Sequence, residues 1–388
     1  MRKVTFVVGN RAHFARIMPI VQSLQGYKIK YKIILFDSAS VADFGDVFND
    51  ITKIVSKKDI STLFSHISGS NLLTMTKSAG YAISELGTEL FNNKPDIVVV
   101  IGDRYEALSA AVTARYMNIC LAHVMGGEVS GSIDDSIRHA ITKLANIHFV
   151  SNSECKDNLM GMGEVEDNIH ITGCPTMDLF KKVNEQDIRH ITTEYCDINE
   201  NHLGRKYIIV SFHPVTTEYS GNQDQFRKLL GIIVSLNVKV IWIYPNVDAG
   251  GDLIRQEIEK FRKQDQNGNI HFFKHFNILQ YLTILNNALC IVGNSSVGIR
   301  ESSFIGLPSI NIGTRQNLRQ RANNVLDCNI DSGELKNSIL KQIEHGKYKP
   351  SFLYGHGDAG PKIAKILNDC EFNYKKDFQY NSKLDDKK

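Results

Sequence analysis

The stretch DIVVVIGDRYE, residues 96–106, places an unbroken apolar run directly before a glycine and a cluster of charged residues. A strand that is apolar at every position is typical of the centre of a parallel sheet with helices on both faces. In such sheets, ligands bind beyond the carboxyl ends of the strands. Asp103 and Arg104 come directly after this strand, so we expect them at the edge of the sheet where a binding site forms. The stretch therefore predicts both an α/β fold and the position of a candidate site.

The same alternation of strand and helix runs along most of the chain. In the first half we predict strands at 4–8, 31–36, 96–102, 119–124 and 147–151, and helices near 14–25, 72–93, 104–116 and 134–145. After a break at 172–205, strands are predicted at 207–214, 239–246, 269–273, 288–296 and 307–313. The pattern indicates two Rossmann-like domains facing across a cleft, the GT-B architecture. We place the first domain at residues 1–172 and the second at residues 173–359. A C-terminal helix over residues 360–388 is expected to pack with the first domain and to belong to it.

The composition excludes several classes of protein. Of the 388 residues, 42% are hydrophobic and 22% charged, which is typical of a folded globular chain, and the net charge of +3 is dispersed. No basic stripe predicts a nucleic-acid partner, and no apolar run approaches the ~20 residues of a membrane span. The apolar run after Met1 ends too early for an export signal, and the seven cysteines form no C-x-x-C pair. We therefore expect a cytoplasmic protein without a metal site or a cofactor.

The loop GNSSVGIRE, residues 293–301, is a candidate phosphate site. Ser295 and Ser296 precede a predicted helix, whose free backbone N–H groups and hydroxyls suit a phosphate. An ordinary serine helix cap explains the same two residues without a ligand. Glu301 is suited to ribose hydroxyls, and Arg315 after the next strand would add a cation for a diphosphate.

Two further loops of the second half carry candidate binding residues. His213 follows a buried strand and precedes a proline, so it is either a structural histidine or a contact to phosphate or substrate. Asn246 either binds the nucleotide or makes an ordinary turn beside the glycines at 250–251.

The first half supplies candidate acids and bases. Asp103 is either a helix cap paired with Arg104 or a general base. His123 ends the next predicted strand, and Asp134 and Arg138 lie four residues apart, where one helix face presents an acid beside a cation. Carboxylates that converge in one cleft separate their pKa values, which allows one to act as an acid and another as a base.

The chain resembles the hydrolysing UDP-N-acetylglucosamine 2-epimerases of sialic acid biosynthesis. The resemblance covers roughly residues 3–370 and depends on 102–150 and on the motifs FHPVTTE, YPNVDAGG, VGNSSVGIRE and GLPSINIGTRQNLR. It implies a UDP-sugar substrate whose UDP contacts His213, Asn246, Tyr281, Ser295, Ser296, Glu301, Arg315 and Arg11. It also implies catalysis by Asp103 and Asp134 beside Arg138. The implied reaction passes through a 2-acetamidoglucal to N-acetylmannosamine and UDP, in an enzyme that forms homodimers or homotetramers.

Two positions depart from the family pattern. Met125 stands where relatives carry a catalytic glutamate, and His13 stands where they carry an aspartate. Either His13, Glu128 or His123 replaces the lost group, or the substrate is a related sugar such as a 6-deoxy diacetamido sugar, or the chain is a weakened nucleotide-sugar binder. We count Met125 and Arg104 among the substrate-binding candidates. A GT-B glycosyltransferase that uses UDP-sugars is the alternative function, since the same fold serves both chemistries.

Overall fold

The computed structural model describes residues 1–41, 47–69, 71–183, 191, 206–246, 248–264, 268–331, 333–371 and 373–378. In this part of the chain, strands and helices alternate as the sequence predicts. The strands are β1 (Arg2–Val8), β2 (Ile29–Leu35), β3 (Ile60–Thr62), β4 (Ile97–Ile101), β5 (Cys120–Val124), β6 (Ile147–Val150), β7 (Ile169–Ile171), β8 (Tyr207–Ser211), β9 (Lys239–Ile243), β10 (Ile270–Phe273), β11 (Cys290–Gly293), β12 (Ser309–Ile312) and β13 (Val325–Cys328).

Twelve α-helices of the described residues separate these strands. They are α1 (Arg11–Leu24), α2 (Val47–Thr52), α3 (Leu72–Asn93), α4 (Tyr105–Tyr116), α5 (Ile133–Leu144), α6 (Ser153–Gly161), α7 (Asn222–Ser235), α8 (Gly251–Gln264), α9 (Ile278–Asn287), α10 (Arg300–Ile305), α11 (Leu335–His345) and α12 (Ala359–Asp369). Short 3-10 segments include Pro175–Lys182 and Ser296–Gly298. In the part of the chain that the structure describes, no helix combines the length and apolar character needed to cross a membrane.

The strands form two parallel sheets. The first has the order β3-β2-β1-β4-β5-β6-β7 and the second the order β10-β9-β8-β11-β12-β13. Every residue of β4 is buried, as expected for the central strand of a sheet covered on both faces. The predicted α/β class with two doubly wound sheets is therefore confirmed.

The strand order fixes where a ligand can bind. In each parallel sheet, successive strands are added first towards one edge and then towards the other. The order changes between β1 and β4 in the first sheet and between β8 and β11 in the second. A crevice opens beyond the carboxyl ends of the strands at such a switch point. The loops that follow these four strands are therefore the natural binding loops of the molecule.

The end of the chain differs from the prediction. The predicted helix over 360–388 is shorter in the structure, since α12 ends at Asp369 and the described residues beyond it are not helical. Residues 379–388 of that prediction lie outside the described residues. Helix α12 packs against α1, where a Cβ on Gly360 would lie 2.6 Å from the Pro19 carbonyl oxygen. Further along, Arg115 Nη1 donates to the carbonyl oxygen of Tyr374 at 2.7 Å. The division into two domains, with its boundary at residue 172 and the C-terminal segment assigned to the first domain, stays a prediction.

Candidate active site

A cavity of about 640 Å³ lies between the carboxyl ends of the two sheets. The loops after β1, β4 and β5 line one side, and those after β8, β9, β11 and β12 line the other. Most of the residues singled out in the sequence meet here. They are Arg11, His13, Asp103, Arg104, Met125, Glu128, Asp134, His213, Asn246, Tyr281, Ser295, Ser296, Glu301 and Arg315.

The turn after β11 is held by its backbone and by Asn294. Gly293 has φ +141°, and a side chain there would collide with the carbonyl oxygen of Ser211. The side chain of Asn294 accepts from the backbone N–H of His213 at 2.7 Å and donates to the His213 carbonyl oxygen at 2.8 Å. Because these bonds join the loops after β8 and β11, both loops are fixed at the switch point.

His213 faces the cavity as a neutral imidazole. Burial, and then the charge of Arg315, lower its pKa to about 3. Its Nδ1 accepts from the backbone N–H of Asn246 at 3.2 Å, so the proton of the neutral ring belongs on Nε2. The geometry leaves a donor that can reach either Ser211 or a ligand, and it places Asn246 beside the histidine.

The two serines have different partners. Ser295 Oγ accepts a hydrogen bond from the backbone N–H of Val297 at 3.4 Å. This is the ordinary helix cap that was one of the two interpretations of the serine turn. Ser296 Oγ accepts from Arg300 Nη2 at 2.9 Å. Both serines and Glu301 nevertheless line the cavity, so a cap and a ligand contact are compatible at this turn.

Arginine and lysine side chains slightly outnumber carboxylates in the lining of the cavity. Two of these arginines, Arg11 and Arg16, lie on α1. Within the described part of the chain, the buried Nη1 of Arg11 and the buried Nε of Arg16 have no hydrogen-bond partner. Burial is the largest cause of the lowered pKa of Arg11. Unpaired guanidinium donors in a closed cavity are costly unless an anion fills it, which makes this wall suited to phosphate groups.

Asp103 is held in its ionised form. Its carboxylate pairs with Arg138, a side chain that is 1% exposed and whose Nη1 also donates to the Glu128 carbonyl oxygen at 2.6 Å. Burial raises the pKa of Asp103, but the charges of Arg138 and Arg319 outweigh it and hold the pKa well below its usual range. Asp103 is therefore a fixed negative charge at the end of β4.

Asp134 is a cavity carboxylate whose pKa is raised towards neutral pH. Burial, and then the charge of Asp103, raise its pKa to about 6, while Arg315 limits the rise. The predicted pairing of Asp134 with Arg138 is wrong, because Arg138 binds Asp103 and Asp135 instead. Among the described residues, Asp134 forms no ion pair. Its pKa is therefore higher than that of Asp103, which is paired with Arg138.

Glu128 joins the two sides of the cavity. It pairs with Arg319, its Oε2 lies 3.3 Å from Arg300 Nη1, and Ser151 Oγ donates to its Oε1 at 2.7 Å. Met125, in a left-handed conformation with φ +69°, places its sulfur 3.9 Å from the same Arg300 nitrogen. Glu128 is thus committed to an ion-pair cluster, and Met125 forms an apolar part of the wall beside it.

His13 and Arg104 also reach the cavity from the first sheet. Burial, and then the charge of Arg16, lower the pKa of His13 to about 3, and its Nδ1 accepts from the backbone N–H of Gly9 at 3.3 Å. Arg104 pairs with Glu106 at 3.1 Å and with Asp248 across the cleft. His13 is therefore neutral at physiological pH, and Arg104 connects the two halves.

His123 and Arg138 are the two candidates that do not line the cavity. His123 is fully buried within β5, with Nε2 2.8 Å from the Gly102 carbonyl oxygen and Nδ1 3.2 Å from Thr142 Oγ1. Both ring nitrogens bond to the protein, so a catalytic role for His123 is not supported. Arg138 acts on the cavity through Asp103.

Several cavity residues were not predicted from the sequence. Arg16, Arg300, Gln316 and Arg319 line the cavity, and Asp248 pairs with Arg104. Arg300, Gln316 and Arg319 lie within motifs that were already noted, and Arg16 lies one turn beyond the Arg11 that opens α1. Their positions beside motif residues were the available signal.

Several known proteins resemble the chain over most of its length. The family model described as UDP-N-acetylglucosamine 2-epimerase matches residues 22–368. A Legionella pneumophila protein named UDP-N,N'-diacetylbacillosamine 2-epimerase (hydrolyzing) is 30% identical over 374 residues, which cover 95% of this chain and 96% of the relative. A Neisseria meningitidis protein named UDP-N-acetylglucosamine 2-epimerase is 30% identical over 376 residues, 96% of each chain.

A solved structure shares the fold. The Methanocaldococcus jannaschii UDP-GlcNAc 2-epimerase, crystallised in complex with UDP-GlcNAc and UDP, superposes with a TM-score of 0.75 at 21% identity and covers 94% of this chain and 99% of its own. This likeness confirms the predicted GT-B architecture. With the family match over most of its length, the chain belongs to the UDP-N-acetylglucosamine 2-epimerase family.

Proposed function

We propose that the chain is a hydrolysing UDP-N-acetylhexosamine 2-epimerase, which converts a UDP-linked 2-acetamido sugar and water into UDP and the C2-epimeric free sugar. The observation that carries the proposal is the cavity in which Asp134 of the first half, a carboxylate with a raised pKa, faces a wall of the second half that carries serines and arginines. Relatives at 30% identity over nearly the whole chain, named as such epimerases, support it and do not favour the glycosyltransferase alternative.

The second sheet and α1 bind the nucleotide in this proposal. The diphosphate lies against the serine turn, Arg315 and the unpaired guanidinium donors of Arg11 and Arg16. His213 donates from Nε2, and the base packs against Tyr281 while Glu301 binds the ribose hydroxyls. Charge–charge contacts to the leaving diphosphate stabilise the negative charge that develops on it during elimination.

The first sheet carries out the proton transfers. Asp134 in its ionised form takes the C2 proton, and UDP leaves with the electrons of the bond between C1 and the phosphate oxygen, which forms a glycal with a C1=C2 double bond. Water then adds its oxygen to C1 and releases one proton to solvent, while C2 takes a proton from solvent on the opposite face, so the protons balance. Asp103, ionised by Arg138, raises the pKa of Asp134 and so makes it basic enough to accept the C2 proton in the first step.

Two sugars are candidates for the substrate. UDP-N-acetylglucosamine is the default, and a 6-deoxy diacetamido sugar is the second, which the apolar wall formed by Met125 favours because a methyl group needs no hydrogen-bond partner. The Legionella relative carries the name of the second activity.

Proton NMR of the products with both UDP-sugars tests the proposal. We expect UDP together with the C2-epimer of one sugar, and incorporation of one solvent deuterium at C2 in D2O. Asp134→Asn is the matched control that should abolish both signals. Release of UDP with unchanged C2 configuration, or transfer of the sugar to an added acceptor, would contradict it.

Three broader expectations accompany this function. We propose a cytoplasmic enzyme, since its cysteines are consistent with a reducing compartment, and a place in nonulosonic acid synthesis, since the free 2-epimeric sugar suits a later condensation. We also propose a homo-oligomer. Fractionation of cells and the mass of the purified protein in solution test the first and the last of these.

A further inference from the structure

Residues 373–378, called here the C-terminal strap, lie against the end of α5 that is far from the cavity. Arg115 of α4 donates to the carbonyl oxygen of Tyr374 at 2.7 Å, and Asn146 Nδ2 donates to the carbonyl oxygen of Lys375 at 3.0 Å. Both bonds use backbone oxygens of the strap. They therefore fix its path independently of the side chains that it carries.

Lys376 is a strap residue whose side chain enters the protein, where it is only 7% exposed. Its ammonium group donates to the carbonyl oxygens of Thr142, at 2.9 Å, and of Ala145, and it pairs with the buried Glu164. The last turn of a helix leaves carbonyl oxygens without helical partners and carries a partial negative charge. Lys376 therefore caps α5 at its C-terminal end.

Helix α5 connects this cap to the cavity. It has 12 residues and is about 18 Å long, and it carries Asp134 and Arg138 near its other end. Its buried residues are Arg138, Ile141 and Thr142. Because so few of its side chains are packed inside the protein, contacts at its ends contribute strongly to its position along its axis. A shift along that axis would move Asp134 relative to the substrate.

The cavity end of α5 has contacts of its own. Arg138 pairs with Asp103, and the side chain of Asp135 accepts from the backbone N–H of Gly131 at 2.7 Å. Asp134 forms no ion pair among the described residues, so its position follows that of the helix backbone. If the contacts at the cavity end were sufficient to hold the helix, the strap would affect stability and leave turnover unchanged.

We propose that Lys376 is a positioning residue, which holds α5 from its far end so that Asp134 meets the C2 proton of the substrate. Lys376 does not line the cavity, so it acts through the helix. The effect on turnover rests on the proposed function, whereas the hold on α5 does not depend on the substrate.

The charges around Lys376 give this role a pH dependence. They are Glu164, Lys143 of α5 and Arg115 of α4, and His148 of β6 shares Glu164 at 3.0 Å. Burial lowers the pKa of Lys376 to about 8; Glu164 opposes the change, and the two other cations add to it. The ammonium form predominates at neutral pH and is lost as the pH rises through about 8. The wild-type kcat should therefore fall above that pH.

Lys376→Met tests the proposal by steady-state kinetics and by amide hydrogen exchange. We expect kcat to fall about tenfold, because a small displacement of a catalytic group is costly, while KM stays within about twofold. The fall of kcat above pH 8 should disappear, and exchange in α5 should become faster. Lys375→Met is the matched control, since Lys375 is an exposed neighbour whose backbone bond to Asn146 is kept, and it should behave as the wild type.

Lys376→Arg separates the charge from the shape of the side chain. It keeps a positive charge at the end of α5 at every pH, so kcat should stay within about threefold of wild type and should no longer fall above pH 8. A fall above pH 8 that persists in this variant would count against Lys376, even if Lys376→Met failed to fold.

Hydrogen exchange distinguishes this inference from the proposed function. If the wild type epimerised no UDP-sugar, the proposed function would fail, but faster exchange of α5 in Lys376→Met alone would still support the hold on the helix. Unchanged exchange in α5, or equal losses of kcat in Lys376→Met and Lys375→Met, would overturn the inference. A lower melting temperature with wild-type kcat would also overturn it, because Lys376 would then be structural only.

Discussion

Asp103 and Asp134 are chemically identical residues that the cavity makes different. Arg138 pairs with Asp103 and keeps it ionised, whereas burial and the charge of Asp103 raise the pKa of Asp134 to about 6. A base is most useful when its pKa lies near the working pH, because it is then both deprotonated and basic enough to accept a proton. The position of one arginine therefore decides which aspartate exchanges protons.

Asp134→Asn tests this assignment. The wild-type kcat/KM should rise with pH through about 6 and then level off, as Asp134 ionises. The variant should lose about 10²- to 10⁴-fold in kcat. Its free energy of unfolding at pH 7 should increase by about 3 kcal/mol, because the raised pKa means that ionised Asp134 destabilises the folded state above pH 6, a penalty absent below about pH 4. Full activity in the variant, or a pH profile flat between 5 and 7, would contradict the role.

Met125 tests whether the altered site is complete or weakened. Met125→Glu would place a carboxylate beside Arg300, where it would compete with Glu128 for the same guanidinium. We expect kcat to fall at least about tenfold, while Met125→Leu, which keeps the apolar wall, stays within about threefold of wild type. Steady-state kinetics measure both. A gain in turnover for Met125→Glu would instead favour the weakened-binder interpretation.

At the scale of single elements, the turn after β11 depends on one glycine. Gly293→Ala should reduce the free energy of unfolding by at least about 3 kcal/mol and weaken UDP binding, because the new methyl group collides with the carbonyl oxygen of Ser211 and displaces Asn294. Gly313→Ala is the control, since Gly313 also has positive φ but open space at its Cβ among the described residues, and it should cost about 1 kcal/mol. Chemical denaturation and calorimetric titration with UDP distinguish the two variants.

The sequence predicted the central elements better than the edges. Strand β4 is apolar throughout, and its predicted ends lie within one residue of the observed ones. Helix α3 has clear boundaries in the sequence, and its predicted range of 72–93 is the observed range. Strands β3, β7 and β13 were missed because they have three or four residues each and pair on one side, which leaves little periodicity. The C-terminal helix was predicted too long because a polar tail has no pattern that ends a helix.

At the scale of the whole molecule, the sequence predicted which loops meet but not which side chains pair. Strand ends of parallel sheets converge, so the lining of the cavity followed from the order of the motifs. Partners such as Arg138 with Asp103 depend on side-chain directions and on contacts between distant residues. The role predicted for His123 failed for the same reason, because a histidine at a strand end can point into the sheet as readily as into the cleft.

Buried ion pairs join the two halves in addition to the hydrophobic core that they share. Glu128 of the first half pairs with Arg300 and Arg319 of the second, and all three are at most 5% exposed. Glu128→Gln would leave the buried Arg319 without its carboxylate and Arg300 with only Glu301, at 3.8 Å, so we expect a loss of about 3 to 5 kcal/mol in the free energy of unfolding. The two arginines released from Glu128 would also attract phosphate, so UDP should stabilise the variant more than the wild type.

Glu166→Gln is the matched control for this change. Glu166 pairs with Lys156 at 2.7 Å, but its side chain is 56% exposed, so its loss should cost at most about 1 kcal/mol. Denaturant unfolding with and without UDP measures both variants. If Glu128→Gln and Glu166→Gln lowered the free energy of unfolding by the same small amount, solvent would have to reach Glu128 between the two halves. The ion pairs of Glu128 would then not hold the cavity closed.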